Sequence, residues 1–233
     1  MSNRKPSIRN ITTHDISEIL ETYNKYRFSY LETYKTHALS EHSAIAKAFP
    51  NISFRSTYRI KSYDSTLEKA YERELKDTYD IHGGRHIIRE VDGIQTEDIL
   101  IEHCYKIMEF LLNEYYPKNN ILPIEGTFKD YIKTPKENGY AAIHISCLEE
   151  DRKFETQIKT EKMSEVAQIG RASHSSNYKP RFPGKYALTK LPFYIIPTTD
   201  VNGCTYIYEP NFEETFCHYY GMTYDEYLKK YEN

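Results

Sequence analysis

The sequence predicts an α+β fold in which a mixed, mainly antiparallel sheet is flanked by helices. Three observations carry this. Ala141–Leu148 and Lys153–Lys159 alternate apolar and polar residues, the two-residue period of a strand. Asp15–Thr36 and Glu97–Tyr115 repeat apolar residues every three to four positions, the period of a helix with one buried face. The strand-like segments are flanked and interrupted by the helical ones along the chain.

Taken in order, the first dozen residues form a basic, polar leader. Ile16, Ile19, Leu20, Tyr23, Tyr26, Tyr30, Leu31 and Tyr34 then mark one stripe of a helix, with Thr12 or Thr13 as its cap. A shorter helix is expected after Ser40, through Ala44, Ile45 and Ala48, stopping before Pro50. Another begins at Ser62, where Tyr63, Leu67, Tyr71 and Leu75 share a face. Tyr79–Val91 reads as a strand through His86, Ile87 and Ile88, with a break at Gly83-Gly84. After the long helix ending near Tyr115, residues 121–124 and 128–132 are short strand candidates. Pro135 and Asn138-Gly139 mark a turn. A helix spans roughly residues 161–173, and the Pro-interrupted remainder ends in one or two small helices, one near 224–231. The division expected is an N-terminal helical segment (1–50), a core (51–180) and a C-terminal extension (181–233).

The chain has 233 residues, enough for one cored domain with small appendages. Its net charge of −3 argues against a protein coated in nucleic acid, because bulk phosphate binding needs excess positive charge. The charge is uneven, however. Val166–Thr199 contains no acidic residue and carries Arg171, His174, Lys179, Arg181, Lys185 and Lys190, which indicates an anion-facing stretch with RNA as a candidate contact. The four cysteines form no C-x-x-C pair, so free thiols in a reducing, cytoplasmic setting are expected rather than zinc. No apolar run approaches the ~18 residues of a membrane span. Most of the 23 tyrosines are expected to pack half-exposed.

Chemistry concentrates in three places. In Lys153–Lys159, Phe154, Thr156 and Ile158 would face the core, leaving Glu155, Gln157 and Lys159 together on the other side: a carboxylate, an amide and an ammonium in line. By itself this is also the pattern of a solvated sheet face. On the neighbouring strand His144 falls on the face opposite Ile143 and Ile145. Asp80 precedes Gly83-Gly84, where backbone can approach a ligand, and with Glu155 it would suit Mg²⁺, which takes few protein ligands plus phosphate oxygens. Finally, Arg59, Lys61, Ser65 and Lys69 surround a helix start, a place suited to phosphate.

Together these segments resemble the synthetase domain of the RelA/SpoT family, a nucleotidyltransferase-like fold. The resemblance rests on residues 59–69, 79–85, 130–144, 154–160 and 163–174 with Tyr178-Lys179, five motifs in family order. It implies a pyrophosphokinase that moves the β,γ-pyrophosphate of ATP to a ribose 3′-hydroxyl. Asp80 and Glu155 would be the catalytic carboxylates and hold Mg²⁺, with Glu155 as base. Arg59, Lys61, Ser65, Lys69 and Arg85 would bind ATP. Lys136, Asn138, Tyr140, His144, Gln157, Lys159 and His174 would form the acceptor side, with Tyr140 stacking on the base.

The length leaves no room for the hydrolase and regulatory domains of long members, so a stand-alone synthetase is expected. Lys159 stands where an arginine is usual, Gln168 where a glutamate is usual, and Ser175 where long members have tryptophan. These departures and the acid-free run favour the 3′-terminal adenosine of tRNA as acceptor, as in toxic members paired with an antitoxin. The alternative acceptor is GDP or GTP, giving the alarmone (p)ppGpp. A degenerate module that only binds nucleotide or RNA is the non-enzymatic alternative.

Overall fold

The structure, a computed structural model, describes residues 13–72, 80–169, 191–200 and 202–231. Its centre is one sheet in the order β3-β5-β6-β2-β1-β7-β8, with β4 paired to β5. The strands are β1 (Ile52–Ile60), β2 (His82–Val91), β3 (Ile121–Pro123), β4 (Lys129–Asp130), β5 (Ile143–Glu149), β6 (Arg152–Thr160), β7 (Phe193–Thr199) and β8 (Thr205–Tyr208). Among the described strands β2 and β6 run parallel and the other pairings are antiparallel. The mixed, mainly antiparallel α+β fold expected from the sequence is the one found.

The helices are α1 (Thr13–Asn24), α2 (Leu31–Ala48), α3 (Tyr63–Glu72), α4 (Glu97–Phe110), the single turn α5 (Tyr116–Lys118), α6 (Glu161–Ile169), α7 (Phe212–Tyr220) and α8 (Tyr224–Tyr231). Widened π-type turns at Lys25–Ser29 and Leu111–Tyr115 continue α1 and α4.

Four expectations need correction. The helix sought after Ser40 is the second half of α2, which runs unbroken from Leu31; the interruption comes at Tyr30 instead. Gly83-Gly84 lies inside β2 and breaks nothing, because β6 and β1 pair with it on both sides. β1 was not anticipated, although Ile52, Phe54, Tyr58 and Ile60 recur with period two. Nor was the β7–β8 hairpin, whose turn is held by Asp200 Oδ1 accepting from the backbone N–H groups of Asn202 and Cys204.

One sheet face is covered by α2 and α4. Ile45, Leu100, Cys104 and Ile107 from the helices meet Ile88, Ile143, Ile145, Phe154 and Ile158 from the strands. Beside this apolar core, Tyr34 and Ala38 pack on Tyr58, Ile60 and Ile195. Between α2 and the sheet lies a buried polar network. Glu41, fully buried, accepts hydrogen bonds from Tyr58 Oη and His86 Nε2, both at 2.9 Å, and has His37 at 3.5 Å. Ser56 Oγ then links His86 to His42, at 2.8 Å each way.

Gly84 exists for this packing. A Cβ there would stand 3.0 Å from Cε1 of Tyr58, a ring held in place by Glu41. At Gly83, on the opposite face, the same atom would meet only ordinary contacts at 3.8–3.9 Å. Gly84→Ala is therefore expected to lower unfolding free energy by about 1–3 kcal/mol and Gly83→Ala by much less, read as urea midpoints followed by circular dichroism.

Candidate active site

The sheet face opposite α2 and α4 collects the polar side chains, because register places them side by side. Directly paired residues share a face. One row across the sheet reads Tyr194 (β7), Arg59 (β1), Gly83 (β2), Glu155 (β6) and Ser146 (β5). The next reads Thr57, Arg85, Gln157 and His144. Arg55, Ile87 and Lys159 start a third. Gly83 leaves a gap in the first row, and the Arg59 side chain lies beside it. The two-faced reading of β6 holds: Phe154, Thr156 and Ile158 are buried in the core, while Glu155 and Gln157 face the site.

Glu155 sits in a ring of hydrogen-bonding partners. Its Oε2 is 3.2 Å from His144 Nδ1, and its Oε1 accepts from Gln157 Nε2 at 2.9 Å. The Tyr140 hydroxyl closes the ring, 2.8 Å from His144 Nε2 and 3.2 Å from Gln157 Oε1. Burial alone would raise the Glu155 pKa, and so does the charge of Asp80. His144 and Gln157 outweigh both and hold it at about 2, so the carboxylate is ionised at neutral pH.

Asp80 lies at the start of β2, where its Oδ2 pairs with Lys61 Nζ at 2.5 Å. Two carboxylates offer hard oxygen ligands of the kind Mg²⁺ takes, and the donor set fits that ion. Among the described residues there is no group of three or more His, Cys, Asp or Glu side chains arranged for a metal.

Of the residues expected on the acceptor side, Lys136, Asn138, His144, Gln157 and Lys159 gather around Tyr140. Gly139 has φ +82°, and the Asn138 side chain accepts from the Tyr140 N–H at 3.2 Å, so Asn138 shapes the turn that presents this ring. Lys136 Nζ lies over the rings of Tyr131 and Tyr140, at 4.6 and 5.1 Å, and Lys159 Nζ is 5.6 Å from the Tyr140 ring. Burial pushes the Tyr140 hydroxyl up to about 12, against the pull of Arg85. Ser65 sits in the first turn of α3, where Ser62 Oγ accepts its N–H at 3.2 Å. Lys69 belongs to the same helix. His174, Arg171, Lys179, Arg181 and Lys185 lie outside the described residues, as do the N-terminal leader and Leu75.

Arg55, Tyr194 and His218 join this cluster without having been singled out in the sequence. For Arg55 a signal existed, since it shares the two-residue period of Arg59. Nothing local marks Tyr194 or His218, which arrive from the C-terminal extension.

Lys159 is only 3% exposed. Burial, then Arg85, Arg59 and Arg55, push its ammonium well below the ordinary lysine range. For a base with a lowered folded pKa, the unfolded chain binds the proton more readily. Stability is therefore reduced below the lowered value and recovers as pH rises toward the ordinary one. Lys159→Met should accordingly raise the thermal midpoint of the ligand-free protein at pH 7 by about 2–4 °C, read by calorimetry.

Residues 58–181 match the family described as the "Region found in RelA / SpoT proteins". A guanosine-3′,5′-bis(diphosphate) 3′-pyrophosphohydrolase of Spiroplasma citri is 32% identical over 170 residues, covering 72% of this chain and 20% of the relative. A protein of the same description from Aquifex aeolicus is 34% identical over 120 residues, covering 50% and 15%. The chain thus spans a fifth or less of the length of these relatives. Among solved structures, small alarmone synthetase 1 from Bacillus subtilis, bound to its product pppGpp, superposes with a TM-score of 0.50 at 22% identity, over 71% of this chain and 85% of that one. At that identity the likeness is one of fold. No helix among the described residues is long and apolar enough to cross a membrane.

Proposed function

This chain belongs to the family of RelA/SpoT proteins, and from that premise we propose that it is a pyrophosphokinase: it transfers the β,γ-pyrophosphate of ATP to the ribose 3′-hydroxyl of a guanine nucleotide. One observation carries the reading. A carboxylate held ionised at neutral pH, Glu155, shares a sheet face with Arg55, Arg59, Arg85 and Lys159.

A ribose hydroxyl is a weak nucleophile, so a base at the reacting oxygen is needed. Glu155 accepts the 3′-hydroxyl proton as the oxygen attacks the β-phosphorus. The 3′-O–P bond forms, the bond between the β-phosphorus and the α,β-bridging oxygen breaks, and AMP leaves. His144 and Gln157 hold the carboxylate toward the acceptor. Arg59, Arg85, Lys61 and Lys159 bind the polyphosphate, and alignment by these groups supplies much of the rate. Asp80 and Glu155 would hold Mg²⁺, which when bound stabilises charge on the non-bridging oxygens. Tyr140 stacks on the acceptor base.

The guanine acceptor is supported by relatives described as GTP pyrophosphokinases, such as that of Brucella ovis, 34% identical over 95 residues. A second reading, with the 3′-terminal adenosine of tRNA as acceptor and an antitoxin as partner, is favoured by the acid-free, basic stretch from Val166 to Thr199. Either substrate places the protein in the cytoplasm. Incubation with γ-labelled ATP and GDP, GTP or bulk tRNA separates the two: label in guanine nucleotide is expected, and label in tRNA alone overturns the guanine assignment.

A further inference from the structure

The row through Glu155 does not end at the sheet edge of the site. At its far end Tyr194 pairs with Arg59 across β7 and β1. Over Tyr194 stands the imidazole of His218, ring centroids 4.7 Å apart and planes at 85°. This histidine comes from α7, a helix fixed at both ends. Asn211 and Glu214 close a reciprocal cap at its start, and Gly221, with φ +70°, terminates it. Phe216 is fully buried against α8, with Tyr220, Tyr224 and Tyr227 around it. Residues two apart on a helix point roughly 200° apart. Anchoring Phe216 to α8 therefore turns His218 the other way, onto the arginine face.

We propose that His218 belongs to the donor-nucleotide site, where it contacts the polyphosphate of ATP and takes up a proton as that polyphosphate binds. The proposal rests on the reading of this face as an ATP site.

The imidazole touches Tyr194 from β7 and feels the positive charges of Arg85 from β2 and of Arg55 and Arg59 from β1; Arg59 in turn feels Asp80 and Glu155. Burial first, then Arg85, Arg55 and Arg59, lower the His218 pKa to about 4. The ring is thus neutral at pH 6–7 while the site is empty. An incoming polyphosphate reverses the local charge, which favours the imidazolium. The protonated ring then adds a donor to the anion and fastens α7 over the nucleotide. Linkage sets the sign: if bound protein holds more protons, affinity increases as pH falls through the range between the free and bound pKa values.

The test is isothermal titration of a non-hydrolysable ATP analogue at pH 6.5, in two buffers of different ionisation enthalpy, on the full chain and on His218→Gln. Comparing the two proteins cancels protons released by the nucleotide itself. Wild type should take up more protons than the variant, and the variant Kd should rise about tenfold, the loss of one charged hydrogen bond. His218→Phe keeps a ring over Tyr194 and should lose the extra uptake too, which serves if the glutamine variant does not fold. Equal proton uptake in wild type and variant overturns the proposal, even if the variant binds more weakly, since a purely structural role predicts that. If wild type binds no ATP analogue at all, the donor-site reading falls and takes this one with it.

Discussion

Turnover of Glu155→Gln should fall by about a hundred- to ten-thousandfold while the protein keeps its fold and binds nucleotide. The substitution is nearly isosteric, and its amide oxygen can still accept from Gln157 Nε2. What disappears is the negative charge that accepts the hydroxyl proton. Asp80→Asn should be comparably inactive, because it removes the proposed second anionic ligand of Mg²⁺ and the charge facing Lys61. AMP release measured at saturating ATP reads both. Turnover within a few-fold of wild type in either variant would discard the assignment of that carboxylate.

The same residue makes a prediction about pH. Glu155 has a folded pKa of about 2, below the ordinary glutamate value. A depressed carboxylate contributes stability that is fully present above its ordinary pKa and disappears as pH falls through the folded one. The unfolding free-energy difference between wild type and Glu155→Gln should hence be flat above about pH 5 and shrink toward pH 2. Titration of Glu155 in the free protein should also leave no acid limb in the activity profile above pH 5.

The second large effect is structural. Glu41→Leu is expected to destabilise the protein by about 3–5 kcal/mol, the range for removing one partner of a buried charge pair. Glu41 is fully buried, and the histidines around it overcome the effect of burial to hold its pKa low. The leucine would leave His86 and Tyr58 buried without their common acceptor. Since domains are stable by roughly 5–15 kcal/mol, a shift of this size moves the urea midpoint far to the left. A midpoint within error of wild type would show that the network contributes little.

Local pattern and motif made much of the site legible. The alternation of Lys153–Lys159 placed Glu155 and Gln157 on one face, and β6 has that geometry. Asp80 and Lys61 were chosen for their neighbourhoods, and a direct ion pair joins them. Less legible were features set by pairing across the sheet. Gly83-Gly84 looked like a break because glycine usually weakens a strand. Here one glycine admits the Tyr58 ring on the core side and the other leaves room for Arg59 on the site side. Arg55 needed β1 to be recognised first. Tyr194 and His218 sit well over a hundred residues from Arg59, and only the β1–β7 pairing brings them to it. The buried histidines of α2 and β2 were likewise invisible as a network, since no periodicity says that Glu41 and His86 will meet.

Cleavage between the α- and β-phosphates of ATP is the claim on which the account stands. Incubating the protein with Mg²⁺, γ-labelled ATP and its acceptor, and following AMP and labelled acceptor together, tests it directly. AMP should accumulate one-for-one with label on the acceptor, and only when acceptor is supplied. Release of ADP with labelled orthophosphate, or no AMP with any acceptor, would contradict it.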